Sequence, residues 1–361
     1  MLGTSDVDAA KIMMIVFQQG SHVIMKIGIG LNLISRGHEV HFLLAANNPM
    51  ADTVRRNGIK VISYQPASGV LYPFTSEYED ALAGFIFNRS TEVEMLSRAV
   101  NEDCKTILND TSLMNNLRQL KFDMILLEPF ICNPCYLLIP HHLGIRYVTT
   151  AGVFFPLSLR VPALPSFYGY MTLGSEIANF PLMKTFAERF SNTGFISAVH
   201  ALTLPKLWQS ASLLEKYAPG VDSWDDLMLK SEVILVDNDH LLNTAMPLLP
   251  HVVTTAGCTA SPPQPLHDSL EKIMAQSGDD GVILASFGTT AYRMPPTMVT
   301  KLMTAFGRLT QTVLTRMAVP ANVRVRLQRV VLNMNCYAVF SNFLKLRLRK
   351  KHMRLNKIYL Q

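Results

Sequence analysis

Apolar and polar positions in the first part of the chain alternate in blocks that predict a parallel α/β sheet. Ile12–Phe17 is a short, continuous apolar run, which is typical of a strand buried on both faces. Gln18–His22 follows as a turn. Apolar residues then recur at helical spacing from Val23 to Ser35, at Val23, Ile24, Ile27, Leu31 and Ile34. Arg36-Gly37-His38 predicts the end of that helix, and Val40–Leu44 predicts a second strand. In such a strand–helix–strand unit, ligands bind beyond the carboxyl ends of the strands, where His22 stands.

The same alternation continues along the chain and predicts an α/β fold class. Further strands are predicted at Ile59–Tyr64, Phe122–Leu127, Arg146–Thr150, Val233–Val236, Val252–Ala256, Val282–Ser286 and Gln311–Arg316. Helices are predicted at Met50–Asn57, over Glu77–Leu120 with a break near Asn88–Ser90, and at Ile131–His142, Thr185–Gln209, Leu213–Tyr217, Asp268–Ser277 and Thr297–Leu309.

A small, polar and proline-rich segment, Cys258–Pro265, predicts a linker between two domains. Residues 11–257 are predicted to form a Rossmann-like domain with a helical insertion at about 151–230. That insertion is interpreted as a lid or acceptor pocket, or as an ordinary helical subdomain. After the linker, taken as 258–267, residues 268–317 begin a second such domain. Residues 318–361 show no alternation of strands and helices and are expected to be a poorly ordered basic tail.

Charge is distributed unevenly along the chain. The formal net charge is +6, yet residues 281–361 hold 14 of the 33 Lys and Arg residues and no Asp or Glu. The body is therefore mildly acidic, and the overall charge is no argument for nucleic-acid binding by it. Lys345–Lys357 carries seven basic groups. Such a run can bind anionic lipid or nucleic acid, or it can be a solvated tail, and both interpretations stay open.

The features of a chain that indicate a cellular compartment are its cysteines, a signal peptide and a membrane-spanning helix. Five cysteines in 361 residues do not indicate a disulfide scaffold. Cys132 and Cys135 have CxxC spacing without a second pair, so we interpret them as ordinary core and loop cysteines, with a redox or zinc site as the alternative. Ile12–Phe17 is too short for the apolar region of a signal peptide. Val330–Leu344 is too short and too polar for a membrane-spanning helix.

Several segments carry the motifs of a known enzyme family. They include Gly20-Ser21-His22 and Arg36-Gly37-His38-x-Val40 near the start of the chain. Leu242 to Met294 then contains an apolar Asn-Thr run, the proline-rich linker, a helix and a strand ending in Ser-x-Gly-Thr. Together they resemble the UDP-glycosyltransferases, the animal UDP-glucuronosyltransferases above all, over about residues 11–316. The resemblance implies a GT-B fold of two Rossmann-like domains, the second incomplete here, which receive the acceptor and the UDP-sugar respectively.

The resemblance implies that His22 is the general base of an inverting transfer. The ring would take a proton from an acceptor hydroxyl as its oxygen attacks the anomeric carbon of the sugar and displaces UDP. A histidine suits this role because its unperturbed pKa lies near neutral pH. A capping or core histidine is the other interpretation. Gly20 and Ser21, in the same motif, are candidate substrate-binding residues.

A carboxylate is expected beside the base, since it selects the tautomer and stabilises the charged ring. The family has an Asp at the end of a later strand, and Glu128 stands at that position here. Its extra methylene moves the carboxylate by roughly one carbon–carbon bond, and a misplacement of about 1 Å can cost about 10²-fold in rate. Glu128 is therefore either the partner of His22 or a plain surface carboxylate.

Candidate donor-binding residues follow the linker. Gly288 would allow close backbone approach, and Thr289 could donate its hydroxyl to a phosphate oxygen. Arg316 stands where the family has an aromatic-Arg pair at a strand end, with Thr315 in place of the aromatic residue. No metal or other cofactor is expected, since the UDP-sugar is a substrate.

The family's longest motif, which runs from Trp-x-Pro-Gln through His-Gly-Gly to Asp-Gln, is missing from these residues. It supplies most donor contacts, so we expect a chain truncated in its donor domain, with a changed splice or reading frame as one explanation of the tail. One predicted function is transfer of a hexosyl or glucuronosyl group to a small lipophilic acceptor. The alternative is a catalytically impaired relative that binds acceptor or associates with full-length enzyme. The family implies the endoplasmic reticulum membrane or lumen and possible homo- or hetero-oligomers with family members. For the tail, its basic composition makes a membrane surface the expected partner in preference to nucleic acid.

Overall fold

A computed structural model describes residues 8–18, 20–67, 92–129, 134–151, 185–191, 193–194, 211–237, 248–255, 257–259, 265–287, 294–317 and 330–332. These residues fall into two compact units, divided after Thr259. Each unit contains a parallel sheet with helices between its strands. Within the described ranges, no helix is long and apolar enough to cross a membrane.

The first unit is built around a seven-stranded parallel sheet of order β3-β2-β1-β4-β5-β6-β7. The strands are β1 Lys11–Ile15, β2 Glu39–Ala45, β3 Lys60–Tyr64, β4 Met124–Leu127, β5 Tyr147–Ala151, β6 Ile234–Val236 and β7 Val252–Thr254. The direction of the order reverses between β1 and β4, where Ile15 pairs with Leu127. Open α/β sheets bind ligands in the crevice at such a reversal, beyond the carboxyl ends of the strands. The topology therefore directs attention to the residues that follow these two strands.

Helices cover the two faces of this sheet. They are α1 Gly20–Ile34, α2 Ala51–Arg56, α3 Glu92–Asn109, α4 Thr111–Gln119, α5 Leu138–Leu143 with a 3₁₀ turn before it at Pro134–Leu137, α6 Ala211–Tyr217 and α7 Trp224–Leu229. The central strands are apolar and buried, as continuous apolar runs predict. The core of the unit therefore lies on both sides of β1 and β4.

Helix α1 begins earlier than the apolar pattern predicted. The prediction began it at Val23, after a turn that included His22, whereas the structure begins it at Gly20. His22 therefore lies in the first helical turn. The buried face of α1 consists of Gly20, Val23, Lys26, Ile27 and Gly30. Ile24 and Leu31, which the periodicity assigned to that face, are both more than a third exposed, so the apolar stripe alone placed the face incorrectly.

A capping residue separates α3 from α4. The Asp110 side chain accepts a hydrogen bond from the amide of Leu113 at 2.9 Å. Such an N-cap begins a new helix because it satisfies a free backbone donor of the first turn. The predicted break at Asn88–Ser90 lies outside the described residues, and apolar periodicity did not indicate the break at Asp110.

The first two residues of the predicted linker pack on α1 and belong to the first unit. A Cβ on Gly28 would lie 2.8 Å from the Cβ of Thr259, so a larger residue would displace that segment. The Asn32 side chain donates a hydrogen bond to the Cys258 carbonyl at 2.5 Å. The first compact unit therefore extends to Thr259.

One disulfide corrects the interpretation of Cys135 as an ordinary core cysteine. Cys135 is bonded to Cys104 of α3, 31 residues away in sequence. Beside it, the Tyr136 hydroxyl donates a hydrogen bond to the buried Asp103 carboxylate at 2.8 Å. CxxC spacing suggested a local pair, but packing of α3 against the 3₁₀ turn supplied a distant partner. Cys132 lies outside the described residues.

We expect loss of this disulfide to destabilise the first unit. A Cys135→Ser variant should lose about 3 kcal/mol in the free energy of unfolding, because the bond closes a long loop in the unfolded chain. Urea unfolding measures the change. Cys258→Ser, which removes a free cysteine, is the matched control and should unfold like the unmodified protein. Equal stability of both variants would contradict the prediction.

The second unit contains a three-stranded parallel sheet of order β10-β9-β8. Its elements are α8 Asp268–Gln276, a 3₁₀ turn at Gly278–Asp280, β8 Val282–Ser286, α9 Pro296–Phe306, β9 Thr312–Arg316 and β10 Val330–Leu332. The described residues contain the predicted order of strand, helix and strand. Strand β10 was not predicted, since it lies within the segment expected to lack regular structure.

The predicted helical insertion at 151–230 is described only in part. Residues 186–191 are helical, and α6 is found close to its predicted position. Helix α7 was not predicted; its Ser223 side chain caps it by accepting a hydrogen bond from the amide of Asp226. Most of the remaining insertion lies outside the described residues.

Candidate active site

The loop that carries the chain from β1 into α1 is held by buried side-chain amides. The Gln18 side chain accepts hydrogen bonds from the backbone amide of Ala45 at 3.1 Å and from the Asn48 side chain at 2.9 Å. Both amide side chains are buried. A buried network with its partners in place fixes a single local conformation. The start of α1, and with it His22, is thereby fastened to the carboxyl end of β2.

Glu128 comes directly after β4 and is still in register with β1. Its amide donates to the carbonyl of Ile15 at 3.1 Å. Because β1 and β4 are neighbours, the Glu128 side chain reaches the first turn of α1. The residue is only 4% exposed, so it is not the surface carboxylate that the sequence left open.

His22 and Glu128 form a close pair. His22 Nδ1 lies 2.8 Å from Glu128 Oε1. An ionised carboxylate can only accept, so Nδ1 carries the proton and the lone pair is on Nε2. The Phe17 ring packs edge-on against the imidazole, with centroids 5.2 Å apart. The His22 side chain remains 27% exposed, which leaves the ring open to a substrate hydroxyl.

A buried lysine contacts the other oxygen of the same carboxylate. Lys26 Nζ lies 3.5 Å from Glu128 Oε2, and the lysine side chain is fully buried. Lys26 follows His22 by four residues, so both side chains project from one face of α1. Neither Lys26 Nζ nor Glu128 Oε2 has a well-formed hydrogen bond to any part of the chain that the structure describes. The contact is therefore an ion pair without other polar support.

Charge and burial act in opposite directions on this cluster. Burial by itself raises the pKa of Glu128, but the positive charges of His22 and Lys26 outweigh it and lower that pKa from 4.5 to about 2. Burial lowers the pKa of Lys26, and the charge of Glu128 opposes that effect. Glu128 is therefore anionic at neutral pH, which suits a carboxylate that must stabilise a protonated ring.

A small cleft adjoins Lys26. Its lining comes from α1, from β5 and β6, and from residues that follow β6 and β7, and consists of Met25, Lys26, Ile29, Thr150, Leu235, Asp237, Thr255, Cys258 and Thr259. Apart from Lys26, its polar groups come from the carboxyl-terminal ends of these strands and the residues that follow them. The cleft thus lies at the edge of the sheet where the topology directs ligands.

The structure brings some of the predicted site residues together and leaves others outside its description. Gly20 is buried and Ser21 exposed in the first turn of α1, beside His22. Gly288 and Thr289 lie outside the described residues. Arg316 is the last residue of β9, and its side chain is not among those described. Among the described residues, no group of three or more His, Cys, Asp or Glu side chains could hold a metal ion.

Sequence reasoning missed Lys26 and the Gln18–Asn48 pair. A lysine inside an apolar helical stripe is itself a signal, and its four-residue spacing from His22 would have placed it on the same face. The amide pair had no such signal, because Gln18 and Asn48 are 30 residues apart and meet only when β1 and β2 pair.

A family model described as "UDP-glucoronosyl and UDP-glucosyl transferase" matches residues 10–324. UDP-glucuronosyltransferase 3A1 of Xenopus laevis is 27% identical over 319 residues, which cover 85% of this chain and 59% of the relative. The 2-hydroxyacylsphingosine 1-beta-galactosyltransferase of Mus musculus is 28% identical over 325 residues, covering 85% and 56%. The chain thus spans less than two thirds of the length of these relatives.

Solved structures share the fold at low sequence identity. The glycotransferase of kitacinnamycin superposes with a TM-score of 0.54 at 15% identity, covering 92% of this chain and 73% of the other. UGT73P12 of Glycyrrhiza uralensis, complexed with glycyrrhetinic acid 3-O-monoglucuronide, gives 0.51 at 11% identity, covering 90% and 69%. These likenesses confirm the predicted fold class, α/β of GT-B type.

Proposed function

This chain belongs to the UDP-glucuronosyl and UDP-glucosyl transferase family, and we propose that it transfers a hexosyl or glucuronosyl group from a UDP-sugar to the hydroxyl of a small lipophilic acceptor. The observation that carries the proposal is the 2.8 Å contact between His22 Nδ1 and the buried Glu128. A histidine oriented by a buried carboxylate, at the reversal point of a parallel sheet, has the geometry of a general base.

The proposed reaction is a single displacement. His22 Nε2 takes the acceptor's hydroxyl proton as the acceptor oxygen forms a bond to the anomeric carbon. The bond from that carbon to the UDP oxygen breaks, and UDP leaves with the electron pair. Attack from the side opposite UDP inverts the anomeric configuration. Glu128 holds Nδ1–H and stabilises the imidazolium that forms.

The acceptor class is proposed from the relatives' names. One relative is a galactosyltransferase that acts on 2-hydroxyacylsphingosine, and another is a glucuronosyltransferase. A lipid alcohol is consistent with the apolar and aromatic composition of residues 151–230. We place Gly20 and Ser21 on the acceptor side, and Gly288, Thr289 and Arg316 on the donor side.

An oxidising compartment is part of the proposal. The Cys104–Cys135 disulfide is of a kind that persists in secretory compartments and is rare in the cytosol. This supports the lumen or membrane of the endoplasmic reticulum as the place of action. We propose association with other family members from the family resemblance, and contact of the tail with a membrane surface from its basic composition.

Donor binding is tested by titrating the purified protein with UDP-glucose, UDP-galactose and UDP-glucuronic acid in a calorimeter. We expect saturable heat with at least one of them and none with GDP-mannose, since the family is named for UDP-sugars. Transfer is then measured with that donor and a phenol or a hydroxylated ceramide. Absence of both donor binding and transfer would contradict the proposal. Acceptor binding without donor binding would favour the non-catalytic relative instead.

A further inference from the structure

We propose that Lys26 is a positioning residue that shares the Glu128 carboxylate with His22 and so sets the pH at which the ring can act as a base. The proposal rests on the function proposed above. Lys26 touches no substrate atom in this scheme, and it acts only through Glu128.

The geometry divides one carboxylate between two basic groups. His22 Nδ1 lies 2.8 Å from Oε1, and Lys26 Nζ lies 3.5 Å from Oε2. Because the two basic residues are one helical turn apart on α1, they can approach the two oxygens without backbone distortion.

A buried ammonium group lowers the stability of the folded protein unless a counter-charge lies close to it. Lys26 is fully buried, and an apolar residue of similar volume would fill this place without desolvating a charge. The ionisable groups that face Lys26 among the described residues come from three elements. They are Glu128 after β4, Asp237 after β6 and Cys258 after β7, and Glu128 makes the largest favourable contribution.

Lys26 and His22 both interact with the charge of Glu128, and this affects how strongly the protonated His22 ring is stabilised. With Lys26 present, part of the field of the carboxylate is cancelled, and the imidazolium is stabilised less than by a lone buried carboxylate. Without Lys26 the whole charge acts on the ring, which then keeps its proton to higher pH. A protonated ring cannot accept a proton from the acceptor, so Lys26 extends the working range of the base towards lower pH.

The test is the titration of the His22 ring, followed by NMR in protein labelled at histidine. In Lys26→Met we expect the midpoint to move upward by about 1 pH unit, which is the order of the effect of one charge on a neighbouring group. Lys26→Arg, which keeps the charge, should stay nearer to the unmodified protein. Lys60→Met is the matched control, because it removes an exposed lysine that pairs with Glu39 instead.

Further variants show whether Lys26 acts through Glu128. In a Glu128→Gln background, Lys26→Met should shift the midpoint much less, since a fully buried lysine without this counter-charge is expected to be neutral and then places no charge near the ring. Lys26→Gln gives the same comparison if the methionine variant does not fold. A folded Lys26→Met or Lys26→Gln protein with an unshifted midpoint would overturn the inference, as would equal shifts in both backgrounds.

The titration needs no turnover, so it separates this inference from the proposed function. A shifted midpoint in a protein without transferase activity supports the role of Lys26 and contradicts the function. In an active enzyme, the acid limb of the kcat/KM profile should move with the ring midpoint. Transfer with an unchanged acid limb in Lys26→Met would overturn the inference and leave the function standing.

Discussion

Transfer by a His22→Ala variant is expected to be about 10²- to 10⁴-fold slower than transfer by the unmodified protein, which is the range for loss of a general base. The acceptor hydroxyl must lose its proton as its oxygen attacks, and alanine offers no lone pair to receive it. Initial rates at saturating donor and acceptor measure the effect. We expect the loss in kcat rather than in donor affinity, because the proton moves only in the transition state.

His142→Ala is the matched control for this variant. His142 is exposed on α5 and contacts the Tyr217 ring rather than the Glu128 cluster. Its replacement should leave the transfer rate unchanged. Equal rates for both variants would show that His22 is a structural histidine of the helix start, which was the other interpretation of the sequence.

Replacement of Glu128 by Gln is expected to affect both activity and stability. In this variant Lys26 stays buried without its carboxylate counter-charge. Loss of one member of a buried ion pair typically lowers the free energy of unfolding by about 3–5 kcal/mol. Transfer should also slow, because the neutral amide no longer stabilises the charged ring. Urea unfolding and initial rates measure the two effects. Glu128→Asp keeps the charge and should lose less stability than Glu128→Gln.

The difference in the free energy of unfolding between the unmodified protein and Glu128→Gln should decrease at low pH. The pKa of Glu128 is lowered in the folded protein from 4.5 to about 2. Its contribution to stability is therefore present in full above about pH 4.5 and is lost as pH falls towards 2. The difference between the unmodified protein and Glu128→Gln should shrink over that interval. Glu232→Gln, which removes an exposed carboxylate, should show little difference at any pH, and a pH-independent gap for Glu128→Gln would contradict this account.

The candidate site was partly accessible from sequence. His22 was found from the Gly-Ser-His motif after the first strand, and Glu128 from its position directly after the predicted strand Phe122–Leu127. Their contact required β4 to lie beside β1, although Glu128 follows His22 by 106 residues along the chain. No local sequence pattern predicts that these two strands are neighbours, because periodicity indicates only which face of each segment is buried.

The sequence alone determined the strands of the first sheet, most of the helices between them and the family. It did so because burial on both faces imposes continuous apolar runs, and helical burial imposes a 3.6-residue period. Tertiary structure alone decided the Cys104–Cys135 bond, the start of α1 at Gly20 and the burial of Lys26 against Glu128. Each of these depends on which segments pack together, and that choice is made by the strand order of the whole sheet.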